Sequence, residues 1–126
     1  MEHRIQNAIR NALAGACLLF RANVGRAWTG SSTQRLPDGS LLIRDPRPFS
    51  TGLPAGFADL FGVVPVTVTP EMVGQRIGVF AAVEVKSGTG RVRPEQEAFC
   101  RAILANGGRS GVARSVEDAK KIVLSK

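Results

Sequence analysis

The spacing of apolar residues over the first two thirds of the chain predicts one helix followed by strands. Apolar side chains recur every three or four residues from Ile5 to Ala16, which predicts an amphipathic helix. Apolar runs at 17–23 and 57–64 predict two short strands. The run 77–86 is almost continuously apolar and therefore predicts a central strand that is covered on both faces.

Turn-forming residues separate these segments. Pro37-Asp38-Gly39 predicts a tight turn that joins strands 33–36 and 41–44 into a hairpin. Residues 25–32 are rich in glycine and serine and predict a loop. Prolines at 46, 48 and 54 predict an irregular connection before the strand 57–64.

The last third of the chain predicts two helices around one strand. Pro94 fits the first position of a helix, which Asn106-Gly107-Gly108 ends. Residues 109–113 predict a short strand, and Ser115 opens a final helix that reaches Leu124. The order is one helix, five strands, a helix, a strand and a helix. We therefore expect a mixed α/β fold, with residues 1–126 forming a single domain.

The charge of the chain indicates a polyanionic partner. Seventeen Lys and Arg residues face ten Asp and Glu residues, which gives a formal net charge of +7, and thirteen of the seventeen are Arg. Arginine suits bidentate recognition of phosphate, although a basic surface kept for solubility is the alternative. The apolar stretch 13–20 is too short to span a bilayer, and no targeting signal is visible. We expect a cytoplasmic protein with no membrane partner.

Zinc sites and histidine-based catalysis are excluded by residue type. The two cysteines, Cys17 and Cys100, lie in apolar surroundings and form no CxxC motif, and His3 is the only histidine. Metal chemistry in this chain therefore has to rely on oxygen ligands.

Two charged residues stand at the end of the most apolar strand. Side chains alternate along a strand, so Glu84 and Lys86 share one face while Val83 and Val85 lie on the other. Charges at the end of a buried strand cost desolvation energy. A divalent cation beside Glu84 and a phosphate near Lys86 would offset that cost. A cross-strand ion pair at the rim of the sheet is the alternative.

Asp59 interrupts the other apolar run, 25 positions before Glu84. If the two strands are neighbours, both carboxylates can converge on one hard cation, Mg²⁺ or Mn²⁺. An isolated turn or edge carboxylate is the alternative for Asp59.

The pattern of Asp59 followed by Glu84-Val85-Lys86 resembles a known family, the virus-type replication–repair nuclease (VRR-NUC) branch of the PD-(D/E)XK nuclease superfamily. Five pieces match in family order over residues 2 to about 119: Glu2-x-x-Ile5-Gln6, Gly56-Phe57-Ala58-Asp59-Leu60, Phe80-x-x-Val83-Glu84-Val85-Lys86, Pro94-Glu95-Gln96-Glu97-x-Phe99 and Gly107-Gly108 with Gly111-Val112-Ala113. The chain departs from the superfamily pattern at Ala58, where a proline is usual.

The resemblance implies a mixed β-sheet flanked by helices and a set of site residues. It implies that Asp59 and Glu84 bind the metal with the Val85 carbonyl, and that Lys86 orients water or stabilises charge on the phosphate. Glu2 would add a metal contact from the inward stripe of the first helix, or else merely favour that helix N-terminus. Gln96 would act near the phosphate, or else lie on the surface.

Arginine-rich segments supply candidate DNA contacts. Gly88 and Gly90 let the loop 87–93 approach phosphates closely. The candidates, each of which could instead be solvated surface, are Ser87, Arg91 and Arg93 on this loop, with Arg21, Arg26, Arg35, Arg44 and Arg47 earlier in the chain.

The function implied by the resemblance is metal-dependent cutting of branched DNA. Short members of this branch resemble Holliday-junction resolvases that work as homodimers, in a phage or prophage setting. One alternative is a basic nucleic-acid-binding module without catalysis. Another is a small structural protein that docks on an acidic partner.

Overall fold

A computed structural model describes residues 1–125 of the chain. Within that range, no helix has both the length and the apolar character needed to cross a bilayer. The elements are a short 3₁₀ turn at Pro70–Met72, three α-helices and eight strands: α1 (Glu2–Leu13), β1 (Leu18–Arg21), β2 (Arg26–Thr29), β3 (Ser32–Arg35), β4 (Leu41–Arg44), β5 (Arg47–Ser50), β6 (Leu60–Val63), β7 (Ala81–Val85), α2 (Pro94–Ala105), β8 (Arg109–Ala113) and α3 (Val116–Leu124).

The strands pair two by two, and the chain divides into two compact units. β7 and β8 are parallel, β2–β5 and β3–β4 are antiparallel, and β1 pairs with β6. One unit contains residues 1–20 and the chain from residue 62 onward, and the other contains residues 21–61. The predicted mixed α/β class is confirmed.

In the first unit, α2 connects the two parallel strands and supplies the centre of the core. Ile103 on α2 is fully buried, and Ala113 at the end of β8 is 3% exposed. The rings of Phe20 and Phe99 lie 5.3 Å apart and extend this core. Ile122 of α3 packs directly on the backbone of β8.

The predicted helix signals of this unit are confirmed. Pro94 occupies the first turn of α2. Gly107, which follows the C-cap residue Asn106, has a φ of 86° that ends the helix without steric cost. At α3, the Ser115 hydroxyl accepts a hydrogen bond from the Asp118 N–H at 3.1 Å. The Asp118 carboxylate accepts from the Arg114 N–H at 2.9 Å, so this cap reaches one residue further back than a capping box.

The second unit contains two antiparallel strand pairs. The predicted hairpin is confirmed as β3–β4, with Leu36 N–H donating to the Ser40 carbonyl across the turn. The Asp38 carboxylate accepts hydrogen bonds from the Ser40 hydroxyl and the Ser40 N–H. These two bonds lower the pKa of Asp38 below its ordinary value.

The second pair, β2–β5, corrects the sequence analysis. The predicted loop 25–32 contains β2, and the predicted irregular connection contains β5. Trp28 lies opposite Pro48 in this pair. Each strand of a two-stranded ribbon has an open edge, so a proline that lacks an N–H is tolerated there. The proline and glycine residues led to a prediction of irregular structure in two segments that are strands.

The central strand is shorter and more exposed than predicted. Among the described residues, β7 pairs with β8 alone, and Val85 is 74% exposed. The apolar run 77–86 is longer than β8, which pairs with it over only five residues. Ile77 and Val79 therefore lie outside the strand pair and are exposed.

The inward face predicted for α1 is also wrong. Glu2, Ile5 and Ile9 are exposed, and Gln6 is the half-buried residue of this helix. Helical periodicity shows that a helix is amphipathic but does not show what covers its apolar side. The residues described here leave that side open.

We expect Gly62→Ala to destabilise the protein by about 1–3 kcal/mol, because an added Cβ would collide with the Leu18 carbonyl of β1. Thermal unfolding followed by circular dichroism measures this loss. Gly15→Ala is the matched control, since its Cβ would meet open space. Equal stability of the two variants would contradict the close approach of β1 and β6.

Candidate active site

An ion pair lies at the carboxyl end of β7, between Glu84 in the strand and Lys86, which follows its last residue. Lys86 Nζ lies 3.4 Å from Glu84 Oε1, and the two side chains are 19% and 30% exposed. The prediction that they share a face is confirmed. The pair joins two residues of the same segment, so the alternative of a cross-strand pair is wrong.

Gln96 joins this pair from the first turn of α2. Its Nε2 donates to Glu84 Oε1 at 2.7 Å, and its Oε1 accepts from the Arg93 N–H at 2.9 Å. Because the backbone donor occupies Oε1, the amide can only present its N–H to the carboxylate. Gln96 is half-buried, and both ends of its amide are hydrogen-bonded. Its role in chemistry stays a prediction.

Arg114 fixes the segment that follows Lys86. Lys86 N–H donates to the Ala113 carbonyl at 3.0 Å, which extends the ladder past Val85. The Arg114 guanidinium donates to the Ser87 carbonyl. The sequence analysis missed Arg114. Pairing β7 with β8 in parallel would have revealed it, because the residues that follow two parallel strands meet at one edge.

A cavity of about 180 Å³ lies beside Glu84 and Gln96. Its lining also includes Glu95 and Ser110, and the Ser110 hydroxyl donates to the Ala82 carbonyl at 2.7 Å. Glu95 is thus a second carboxylate residue on this cavity, and the sequence analysis gave it no role. The sequence feature that could have indicated this position is that Glu95 lies in the first turn of α2, one residue before Gln96.

The predicted DNA-contact residues lie on exposed segments of both units. Ser87 accepts from the Gly90 N–H through its hydroxyl at 3.1 Å, which closes the loop into a turn. Contact of these residues with DNA stays a prediction. All members of the set are exposed: Ser87, Arg91 and Arg93 in the first unit and Arg21, Arg26, Arg35, Arg44 and Arg47 in the second.

The remaining predicted metal ligands lie away from the ends of β7 and α2 in the chain. Asp59 belongs to the second unit, where it is exposed and its backbone carbonyl accepts from the Ala22 N–H at 2.9 Å. Glu2 is exposed in the first turn of α1. Residues 1–125 contain no group of three or more His, Cys, Asp or Glu side chains placed to hold a metal ion. Binding of a metal by Asp59, Glu84, Glu2 and the Val85 carbonyl stays a prediction.

Comparison with known families adds one finding. The family model described as the VRR-NUC domain matches residues 30–117, which is more than half of the chain. The matched range contains Asp59, Glu84, Lys86 and Gln96 but not Glu2. A search of curated proteins found no match. A search of solved structures also found none.

We expect Gln96→Ala to lower the free energy of unfolding by about 1 kcal/mol, because it removes the side-chain acceptor for the Arg93 N–H at the start of α2. Denaturant unfolding measures the change. Glu97→Ala is the control on the same turn. The Glu97 carboxylate lies 3.9 Å from the Arg101 guanidinium in an exposed, weak ion pair, so this substitution should cost less than about 0.5 kcal/mol. If Gln96→Ala were as stable as the wild type, the observed cap would contribute nothing.

Proposed function

This chain belongs to the VRR-NUC family of nuclease domains, and from that premise we propose that it is a divalent-metal-dependent endonuclease that hydrolyses phosphodiester bonds in branched DNA. The observation that carries the proposal is the cluster of Glu84, Lys86 and Gln96 at the carboxyl end of β7. An ion pair and a fixed amide, all partly buried, form a charged site next to a cavity.

Lys86 would stabilise the negative charge that develops on the phosphate. Its side chain is only 19% exposed, so the field of its charge is less screened than that of a fully exposed lysine. In the reaction, a water molecule gives up one proton to solvent as its oxygen bonds to phosphorus, the bond from phosphorus to one ester oxygen breaks, and that oxygen takes up a proton from solvent. Gln96 would hold the Glu84 carboxylate in one orientation during this step.

The donor set suits a hard cation. The predicted ligands are the carboxylates of Glu84, Asp59 and Glu2 and the Val85 carbonyl, all of them oxygen donors, as Mg²⁺ and Mn²⁺ prefer. A bound divalent ion would supply Lewis acidity and a lowered pKa for a bound water. Glu84 Oε1 already has Lys86 and Gln96 as neighbours, so its second oxygen is the one we propose for the metal.

The charge of the chain supports DNA as the substrate. A net charge of +7 and exposed arginines in both units favour contacts to the phosphate backbone. We further propose that two copies act together, because a four-way junction has two-fold symmetry and symmetric cutting needs two active sites. The setting that we propose is the cytoplasm of a bacterial cell that carries a phage or prophage.

A second candidate function is a nucleic-acid-binding module without catalysis. The observation that favours it is that residues 1–125 hold no group of three or more potential metal-ligating side chains.

We expect cleavage of a labelled four-way junction in Mg²⁺ or Mn²⁺ and none in EDTA, because the proposed reaction depends on a divalent ion. Flap, fork and linear duplex substrates, tested in parallel, measure the preference for branched DNA. Binding of these substrates without cleavage in either metal would favour the non-catalytic module.

We expect Asp59→Asn, Glu84→Gln and Lys86→Ala each to reduce the cleavage rate by about 100-fold or more, since each removes a charge from the proposed site. Binding to the same DNA should change little, which a gel-shift titration measures. Glu117→Gln is the charge control, because Glu117 lies on α3 in an exposed pair with Lys120. Wild-type rates for Glu84→Gln and Lys86→Ala would disprove the assignment of the site.

A further inference from the structure

The β2–β5 ribbon carries the two most exposed aromatic rings of the chain. Trp28 on β2 is 63% exposed and Phe49 on β5 is 52% exposed. Of the five other aromatic residues, Phe99 is 41% exposed and the rest are half-buried. Two large aromatic side chains exposed on one short strand pair, one on each of its faces, set this ribbon apart from the other aromatic residues.

The register places one arginine beside each ring. Directly opposed residues share a face, and residues two apart along a strand do as well. One face therefore carries Arg26 and Trp28, and the other carries Arg47 and Phe49. In each case the arginine and the ring are two positions apart on the same strand, roughly 7 Å along the chain.

The arginines of the ribbon are not neutralised within the described chain. Neither Arg26 nor Arg47 forms a salt bridge with another residue of the range 1–125. The ribbon itself contains no carboxylate. The nearest one in sequence, Asp45, accepts a hydrogen bond from the Ser31 hydroxyl at 2.8 Å.

A concave space lies next to the Phe49 ring. The cavity measures about 390 Å³, and its lining includes Arg26, Ala27, Phe49 and Thr51 together with residues 23–25. Two of the lining residues are joined by a hydrogen bond, in which the Thr51 N–H donates to the Gly25 carbonyl at 3.3 Å. A cavity lined by an aromatic residue and a few polar side chains suits a planar ring that carries hydrogen-bonding edges.

We propose that the β2–β5 ribbon recognises the branch point of DNA by taking one nucleotide on each face. The base stacks on Trp28 or Phe49, and the adjacent phosphate contacts Arg26 or Arg47. A protein partner fits less well, because an apolar docking patch would place both rings on one face. The proposal rests on the proposed function for its substrate, DNA, and adds the element that distinguishes a branch from continuous duplex.

Trp28 is the only tryptophan, so its fluorescence reports directly on this surface. The wild-type protein in EDTA is titrated with a four-way junction and with a linear duplex of matched sequence. We expect the junction to quench Trp28 emission at saturation and the duplex to leave most of it, because continuous duplex offers no open base to stack.

Substitutions then test the contribution of each face. Trp28→Ala and Phe49→Ala should each weaken junction binding about tenfold and change duplex binding by less than about twofold. Trp28→Phe should recover most of the junction affinity that Trp28→Ala loses. A purely structural role for the side chain would instead weaken junction binding and duplex binding alike. Leu42→Ala is the control, since Leu42 is 41% exposed on the neighbouring β3–β4 pair. Far-ultraviolet circular dichroism verifies folding of each variant.

The outcomes separate this proposal from the proposed function. If the junction is bound and cleaved while Trp28 emission and the affinities of both alanine variants match the controls, the ribbon proposal is overturned and the nuclease proposal stands. If no DNA is bound at all, both are overturned.

Discussion

The partly buried carboxylate of Glu84 is the constraint on which the candidate site depends. Removing a carboxylate from water costs free energy unless charges or hydrogen-bond donors replace the lost solvent. Lys86 Nζ at 3.4 Å and Gln96 Nε2 at 2.7 Å supply that replacement on the same oxygen. Gln96 is in turn oriented by the Arg93 N–H. One chain of interactions thus links strand β7 to the start of helix α2.

The parallel pairing of β7 with β8 explains why the loop after Lys86 is also held. Parallel strands place their carboxyl ends at one edge, so the residues that follow them become neighbours. Arg114 uses this proximity to donate to the Ser87 carbonyl. Ala113, the last residue of β8, is buried at this edge and accepts the hydrogen bond from the Lys86 N–H. The site therefore adjoins a buried end of the β7–β8 pair.

The sequence predicted the parts of this arrangement that depend on local periodicity. The two-residue period of a strand placed Glu84 and Lys86 on one face, and cap residues located α2 and α3. Asp59 was proposed as a ligand because it interrupts an apolar run, and the resemblance supported that role. The role of Gln96 came from the resemblance alone, and its contact with Glu84 needed the structure. Local signals failed for β2 and β5, because Pro48 reads as a breaker but sits on an open ribbon edge. Local signals also failed for Arg114, because its hydrogen bond to the Ser87 carbonyl depends on the pairing of β7 with β8.

The central proposal is that Asp59 and Glu84, far apart in sequence, are ligands of one divalent ion. Titration of Mn²⁺ followed by electron paramagnetic resonance, without DNA, measures this most directly. The wild type and Glu117→Gln should bind Mn²⁺ alike, and Asp59→Asn and Glu84→Gln should each weaken that binding by about tenfold or more. Wild-type Mn²⁺ affinity in both site variants, with folding intact, would contradict the claim.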